Sequence, residues 1–501
     1  MMMKKYKLAV AVLLTLTASS CKEDLDLKPY NALTTEQIVN TVEGLTAATI
    51  GTYNYIKDPY YTRNYHMLSE YASDNVSLSG TTTDDLFYAY NYRHLKSQGN
   101  TEMIWRKGYQ AIYGTNVVIE KATRGDNAVM NQLLGENYFL RAMIHFDLVR
   151  FFGRPYTDDN GESLGIVIKT NSDVKERGSR AKVKDVYAVV ISDLLESIKL
   201  MGSTKSNIYA SKEVAMALLS RVYLYMGDYD NAYKYADEVI KSNRYALVSS
   251  ANLGSYFTVA PGGDSKLQET IFAIKHELKD DRGDDSIGSM YFTSGGMGYG
   301  EMYASESYRN LLDKFPNDLR HAFVRPNYEK DADGNVKLDA NGKPILAKRN
   351  GYPIYYVMKY SYQDGVETLS SPVILRLAEM YLTRAEVSAK RGNTNDALSD
   401  VNIIRERAGL KGLELFSASN MMGYTNVLDV VLDERRLELA FEAQRKFDVF
   451  RNKQTMVRNY PGTHLPSGQV TQEIPYTSPR VIYYIPQSEL TANPNLVQNP
   501  E

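Results

Sequence analysis

Two stretches decide the fold. One is AMALLSRVYLYMGDYDNAYKYADEVI, residues 215–240; the other is LAEMYLTRAEVSAKRGNTNDALSDVNIIRERAG, residues 377–409. In each, an aromatic-bearing helical run meets a glycine, Gly227 or Gly392, the residue that most easily ends a helix. Ala232 and Ala397 stand five residues beyond. Small side chains at such places let two antiparallel helices approach closely, so each stretch predicts a helix pair.

Both pairs resemble the tetratricopeptide repeat, and residues 130–152 supply part of another. Helical periodicity also marks residues 35–55, with Thr35 as cap and Asp58-Pro59 as stop, and residues 103–122. Residues 427–450, VLDVVLDERRLELAFEAQRKFDVF, read as one strong helix. The middle differs in texture. APGGDS and TSGGMGYGEMY are glycine-rich loop, while Asp333-Gly334 and Asn341-Gly342 are tight-turn formers between strand-capable residues. Short strands are expected at residues 353–360 and 481–485. The expectation is a mostly α-helical single body over residues 21–501. It has a helical scaffold over 35–242 and 372–452, a loop-rich, partly β region over 243–371, and a C-terminal strand and tail over 480–501.

The chain begins MMMKKYKLAVAVLLTLTASSC. Three lysines, a short apolar run and small residues follow the order of a secretory signal over residues 1–20. The run is shorter than the roughly 20 residues that span a bilayer. Cys21 is the sole cysteine, so it has no intramolecular disulfide partner. The SSC junction resembles a bacterial lipobox, with Ala18 in the place where leucine is usual. That resemblance implies cleavage before Cys21 and its acylation, an anchor stabilised by ~0.8 kcal/mol per buried CH₂. Lys22, Glu23, Asp24 and Asp26 follow at once, which resembles the surface-export signal of Bacteroidetes lipoproteins.

Composition narrows the chemistry. Lys+Arg 58 against Asp+Glu 60 leaves no excess of positive charge for nucleic acid. The six histidines are scattered without ligand spacing, and HExxH, GxSxG and phosphate-cradling glycine motifs are missing from the sequence. Counted from Asp331, the sixth position of DADGNVKLD is Val336 where a calcium loop needs glycine, so the segment reads as a hairpin turn. Among Glu434, Arg435, Arg436, Glu438, Glu442, Arg445 and Asp448, spacing puts Glu434 and Glu438, and Glu438 and Glu442, side by side on a helix, with nearby arginines to offset their repulsion. They read as a structural ion-pair network and not as the acid pair of a glycosidase. No metal, cofactor or catalysis is expected.

Tyrosine is the outlier, 40 residues against 14 Phe and 1 Trp. It joins an apolar ring face to a hydroxyl, which suits wet binding surfaces as well as helix packing. Trp105 falls inside a helix and reads as core. Two loops present aromatics among polar or glycine residues, and they supply the candidate ligand contacts: Asp84, Asp85, Tyr88, Tyr90, Tyr92 and Arg93, then Tyr291, Tyr299 and Tyr303. Tyr88, Tyr90 and Tyr92 alternate, so one face of a short strand is an equal reading.

Four segments carry a wider resemblance: RAMIHFDLVRFFGRPY (141–156), LRLAEMYLTRAE (375–386), DERRLELAFEAQRKFDVFR (433–451) and the terminal YYIPQSELTANPNLVQNP. In order and spacing the chain resembles the SusD/RagB-type outer-membrane nutrient-binding lipoproteins. Before Asp448 it has Lys446-Phe447 where that family often has Arg-Trp. The resemblance implies a non-catalytic, lipid-anchored protein on the cell exterior, acting as lid to a SusC-like TonB-dependent transporter. It implies capture of oligosaccharides, or, in a RagB-like subset, of peptides. The two candidate loops correspond by region, not residue by residue, to those that bind ligand in the family. A surface hydrolase is the remaining alternative from another functional class.

Overall fold

Lys212–Met226 and Tyr229–Lys241 form the first expected helix pair, and Leu377–Lys390 and Thr394–Arg407 the second, in a computed structural model. It describes residues 41–79, 85–125, 127–203, 205–262 and 269–501. The signal segment, Cys21, Thr35 and Asp84 lie outside those residues. Gly227, at φ +81°, closes the first turn in the left-handed conformation that glycine adopts without Cβ strain. Ala232 and Ala397 are fully buried where the helices meet. Arg384 bonds both Asp237 and Asp400 at 2.7 Å, tying the outer helix of the first pair to the second.

Three long helices, Gly99–Lys121, Ala128–Phe152 and Val183–Leu200, pack ahead of these pairs, with Val42–Lys57 laid against them. The core they share includes Ile112, Phe139, Phe146, Val190 and Leu218. His145 sits inside it as a satisfied core residue: one ring nitrogen meets the Arg141 carbonyl and the other accepts from the Lys169 amide. Burial lowers its pKa to about 3. Trp105 is core as well, 3 % exposed and edge-on to Phe152.

The helix expected over residues 427–450 is broken. It runs Val427–Glu438, stops, and restarts as Arg445–Arg451. Between them Phe441 (φ +66°) and Ala443 (φ +61°) take left-handed backbone, and both amides donate to the carboxylate of Glu70. Glu70 is fully buried, which raises its pKa to about 6. The break is therefore imposed by a residue more than 360 positions away, and helical periodicity contains no trace of it.

Below the break lies a buried charge junction. Arg376 meets Glu269 (2.8 Å), Glu438 and Glu442 (2.7 Å); Arg320 meets Asp318 and Glu434, both at 2.7 Å. Arg405 pairs with Glu434, Arg407 with Glu438, and Lys359 with Glu442. None of these side chains is more than 5 % exposed. Burial pushes the Glu438 carboxyl up, but Arg407, Arg376, Arg320 and Lys359 together hold it well below the usual range. The charge run is thus a structural junction between the C-terminal helices and the middle region.

That middle region holds a four-stranded antiparallel sheet in the order Val76–Leu78, Met302–Ala304, Tyr355–Val357, Val324–Pro326. From it residues 327–347 project as a two-turn meander. Asp331 accepts from the amides of Asp333 and Asn335, and Asp339 from those of Asn341 and Lys343, so each carboxylate closes its own turn. No strand forms at 481–485: Val481 closes the short 3-10 turn Pro479–Val481, and residues 482–485 run on outside any sheet. Their backbone is satisfied singly, Tyr483 donating to the Phe151 carbonyl at 2.8 Å and Ile485 to Gln498.

Candidate functional site

The helix Pro59–Glu70 starts abruptly because Pro59 occupies its first turn and Asp58 caps it, accepting from the Tyr60 amide at 2.9 Å. Its exposed side faces two segments. One carries Asp85, whose Oδ2 accepts from the Asn100 amide at 3.0 Å and so fixes the start of Gly99–Lys121. The other is the glycine-rich turn 294–300. Gly298 and Gly300 have positive φ, and a Cβ on Gly298 would lie 2.3 Å from the Phe292 carbonyl oxygen. This turn holds Tyr299 outward, its amide on the Ser289 carbonyl (2.7 Å) and its carbonyl receiving Arg349 (2.7 Å).

Between these three elements opens a cleft of about 580 Å³. Tyr60 and Tyr299, both about half exposed, stand in its wall. Met67, Met103 and Met290 line its apolar part, and Asn64, Asn100 and Asp85 its polar part. Two of its charges are ion-paired, Arg63 with Asp285 at 2.7 Å and Glu301 with Arg349 at 3.0 Å, while the Asp85 carboxylate accepts from the Asn100 amide. The cleft therefore presents ring faces, amides, carboxylate edges and adaptable thioether surface, with its arginine already neutralised.

Of the residues expected to contact ligand, the structure brings Asp85 and Tyr299 into this cleft. Tyr88 and Arg93 lie on the neighbouring segment but outside the lining, Tyr88 half-buried beside Phe87 and Arg93 exposed. Four expectations need correction. Tyr90, Tyr92, Tyr291 and Tyr303 are each at most 4 % exposed and cannot meet a ligand in this structure. Tyr90 bonds His464, Tyr92 bonds the Ala72 carbonyl and Tyr291 bonds His66, while the Tyr303 ring packs against Tyr356. The 88–92 alternation is not a strand either: Asp85–Tyr90 is a short helix, and Tyr92 at φ +62° turns the chain inward.

The sequence reading missed Tyr60, Arg63, Asn64 and Asn100. The available signal was an exposed aromatic directly after Asp-Pro, at a helix start that must face away from the core. Among the described residues no group of three or more His, Cys, Asp or Glu is placed to hold a metal ion, and no helix is long and apolar enough to cross a membrane.

Comparison with known proteins matches this architecture. Residues 222–501 fit the family model described as "SusD family", and residues 23–224 one described as "Starch-binding associating with outer membrane". Two curated relatives from Formosa agariphila, SusD-like proteins P38 and P2, are 25% and 26% identical, each alignment covering 99% of both chains. A SusD superfamily protein from Bacteroides thetaiotaomicron superposes with a TM-score of 0.78 at 29% identity, covering 92% of this chain and 100% of the other. One from Bacteroides vulgatus gives 0.76 at 27%, covering 92% and 99%. With these matches and with its helix pairs and small sheet, the chain belongs to the SusD family, non-catalytic nutrient-capturing proteins of the outer-membrane surface that work beside SusC-type TonB-dependent transporters.

Proposed function

We propose that the cleft captures a neutral oligosaccharide and that the protein, anchored through an acylated Cys21, acts as lid for its SusC-type transporter. The observation that carries the reading is the pair of half-exposed rings, Tyr60 and Tyr299, in a polar cleft whose arginine is already paired with a carboxylate. A sugar lacks charge to grip; it is held by laying C–H-rich ring faces on aromatics and meeting hydroxyls with amides and carboxylates. Asn64, Asn100 and Asp85 supply the latter. The family description that matches residues 23–224, which include most of the cleft, names starch binding.

The methionine surface favours a second reading, peptide capture, because thioethers adapt to varied apolar side chains. A glycan array and a peptide library applied to the lipid-free protein separate the two. Binding of oligosaccharides, weakened by Tyr299→Ala and Asp85→Asn, supports the first reading; binding confined to peptides replaces it with the second. Slow turnover of a bound ligand, abolished by changing one carboxylate, would instead make the protein a hydrolase. Mass spectrometry of the membrane-extracted protein tests the anchor: an unmodified residue 21 removes it.

A further inference from the structure

The end of the helix Ala128–Phe152, the restarted helix Arg445–Arg451 and the tail at residues 481–482 meet around a small cavity of about 30 Å³. That is room for roughly two waters or one small ion, and far too little for a sugar ring. Four cationic side chains line it, Arg150, Arg154, Lys446 and Arg451, and no carboxylate does. Tyr187 and Phe447 are among its aromatic walls. It shares no lining residue with the cleft.

Two donors on this lining lack a protein acceptor. Arg154 is engaged by Asp158 and by the Tyr476 and Ser478 carbonyls, and Arg451 by Glu386 and Asp448. Arg150 gives Nε to the Phe146 carbonyl and Nη2 to Tyr65 and Asp147. Its Nη1 has no partner among the described residues. Nor does the hydroxyl of Tyr187, a residue only 3 % exposed. Burial raises the Tyr187 pKa, so this hydroxyl keeps its proton and remains a donor.

Charge is unbalanced in the same place. Lys446, 1 % exposed, has no carboxylate partner among the described residues; its Nζ lies 4.2 Å from the Tyr483 ring centroid and 3.5 Å from the Leu68 carbonyl. Burial, then Arg458, lowers its pKa to about 7. Arg458 is itself fully buried and held by the Tyr90 and Tyr71 carbonyls and by Gln472, not by a carboxylate. A buried cation is costly unless an anion balances it, and two neighbours here have none from the protein.

We propose that the cavity is a binding site for a small monovalent anion of chloride size, seated against Arg150 Nη1 and the Tyr187 hydroxyl. The anion supplies the counter-charge that Lys446 and Arg458 do not find in the protein. Water would satisfy both donors but bring no charge. Because the lining joins a scaffold helix, the helix after the break and the tail, the bound anion ties the C-terminal segment to the scaffold. Stability then depends on halide, whatever ligand the cleft takes.

The test follows thermal unfolding of the lipid-free protein from about 1 to 300 mM sodium chloride, with sodium gluconate holding ionic strength constant so that screening does not change. Gluconate is too bulky for the cavity. The native midpoint should rise with chloride by about 1–3 °C. Tyr187→Phe removes one donor and leaves the ring packing, and it should move that rise to about tenfold higher chloride. Lys446→Met, which removes the unbalanced charge, should flatten it. In crystals soaked with sodium bromide, an anomalous peak should lie within hydrogen-bond reach of Arg150 Nη1 and the Tyr187 hydroxyl. Lack of a peak there overturns the site and leaves water as the occupant. A chloride dependence unchanged in Tyr187→Phe also overturns it, because the anion then acts elsewhere. A peak without any chloride effect on the native protein marks binding at crystal concentration only, and it too overturns the proposal. The native measurements decide alone if a variant fails to fold.

Discussion

Arg376 and Arg63 are both arginines held by carboxylates, yet they do opposite things. Arg376 is 3 % exposed and locked by Glu269, Glu438 and Glu442 in a junction without solvent. Arg63, 19 % exposed, is held by a single Asp285 that is itself 66 % exposed, at the edge of an open cleft. In the junction the desolvated charges depend wholly on one another, so losing one strands the rest. In the cleft, water substitutes for any lost partner. The same residue types thus maintain the fold in one place and, in the proposed function, line a recognition surface in the other, and burial separates the two settings.

The hardest blow to that contrast is Glu438→Gln. It removes the anion shared by Arg320, Arg376 and Arg407, and the expected loss is about 3–5 kcal/mol of unfolding free energy in denaturant titration. An unchanged midpoint would mean that the junction does not depend on its anions.

A smaller effect sharpens it. Arg221 and Glu379, each 2 % exposed, join the two helix pairs by a bidentate bond of 2.6–2.7 Å. In a cycle with Arg221→Met and Glu379→Leu, the double replacement should be less destabilising than the two single ones added, with a coupling of about 1.5–3 kcal/mol. Additive losses would show the pair to be independent.

His276 tests the margin between the regions. Burial, then Lys57, lowers its pKa to about 4, with Asp280 acting in the other direction and Arg282 with Lys57. A histidine kept neutral by the fold adds stability that is complete above its unfolded pKa near 6.5 and is lost as pH falls toward 4. His276→Asn should therefore flatten the pH dependence of stability between 6.5 and 4 by about 1.4 kcal/mol per unit. Parallel profiles for the two proteins would refute this.

The least effect on stability belongs to the cleft. Tyr299→Ala should change unfolding by no more than about 0.5 kcal/mol while reducing oligosaccharide affinity about tenfold. A large loss of stability would move Tyr299 from the proposed recognition surface into the fold.

What the sequence determined by itself was whatever depends on local patterning. Glycine turns followed by alanines gave the helix pairs, Asp-Gly and Asn-Gly gave the meander turns, and acids at i, i+4 beside arginines gave the ion-pair junction. Asp85 and Tyr299 were legible as candidates because one adjoins an aromatic stretch and the other sits among glycines. Only the tertiary structure decided the rest. Tyr90 and Tyr299 come from equally aromatic stretches of sequence, but one hydroxyl meets His464 in the interior and the other ring is held outward by Gly298 and Gly300. The break at Phe441 depends on Glu70, and the cleft wall at Tyr60 on a helix whose neighbours come from residues 85–100 and 290–301. Periodicity records which face of an element is apolar; it does not record which distant carboxylate or loop will meet it, because that contact exists only once the chain has closed.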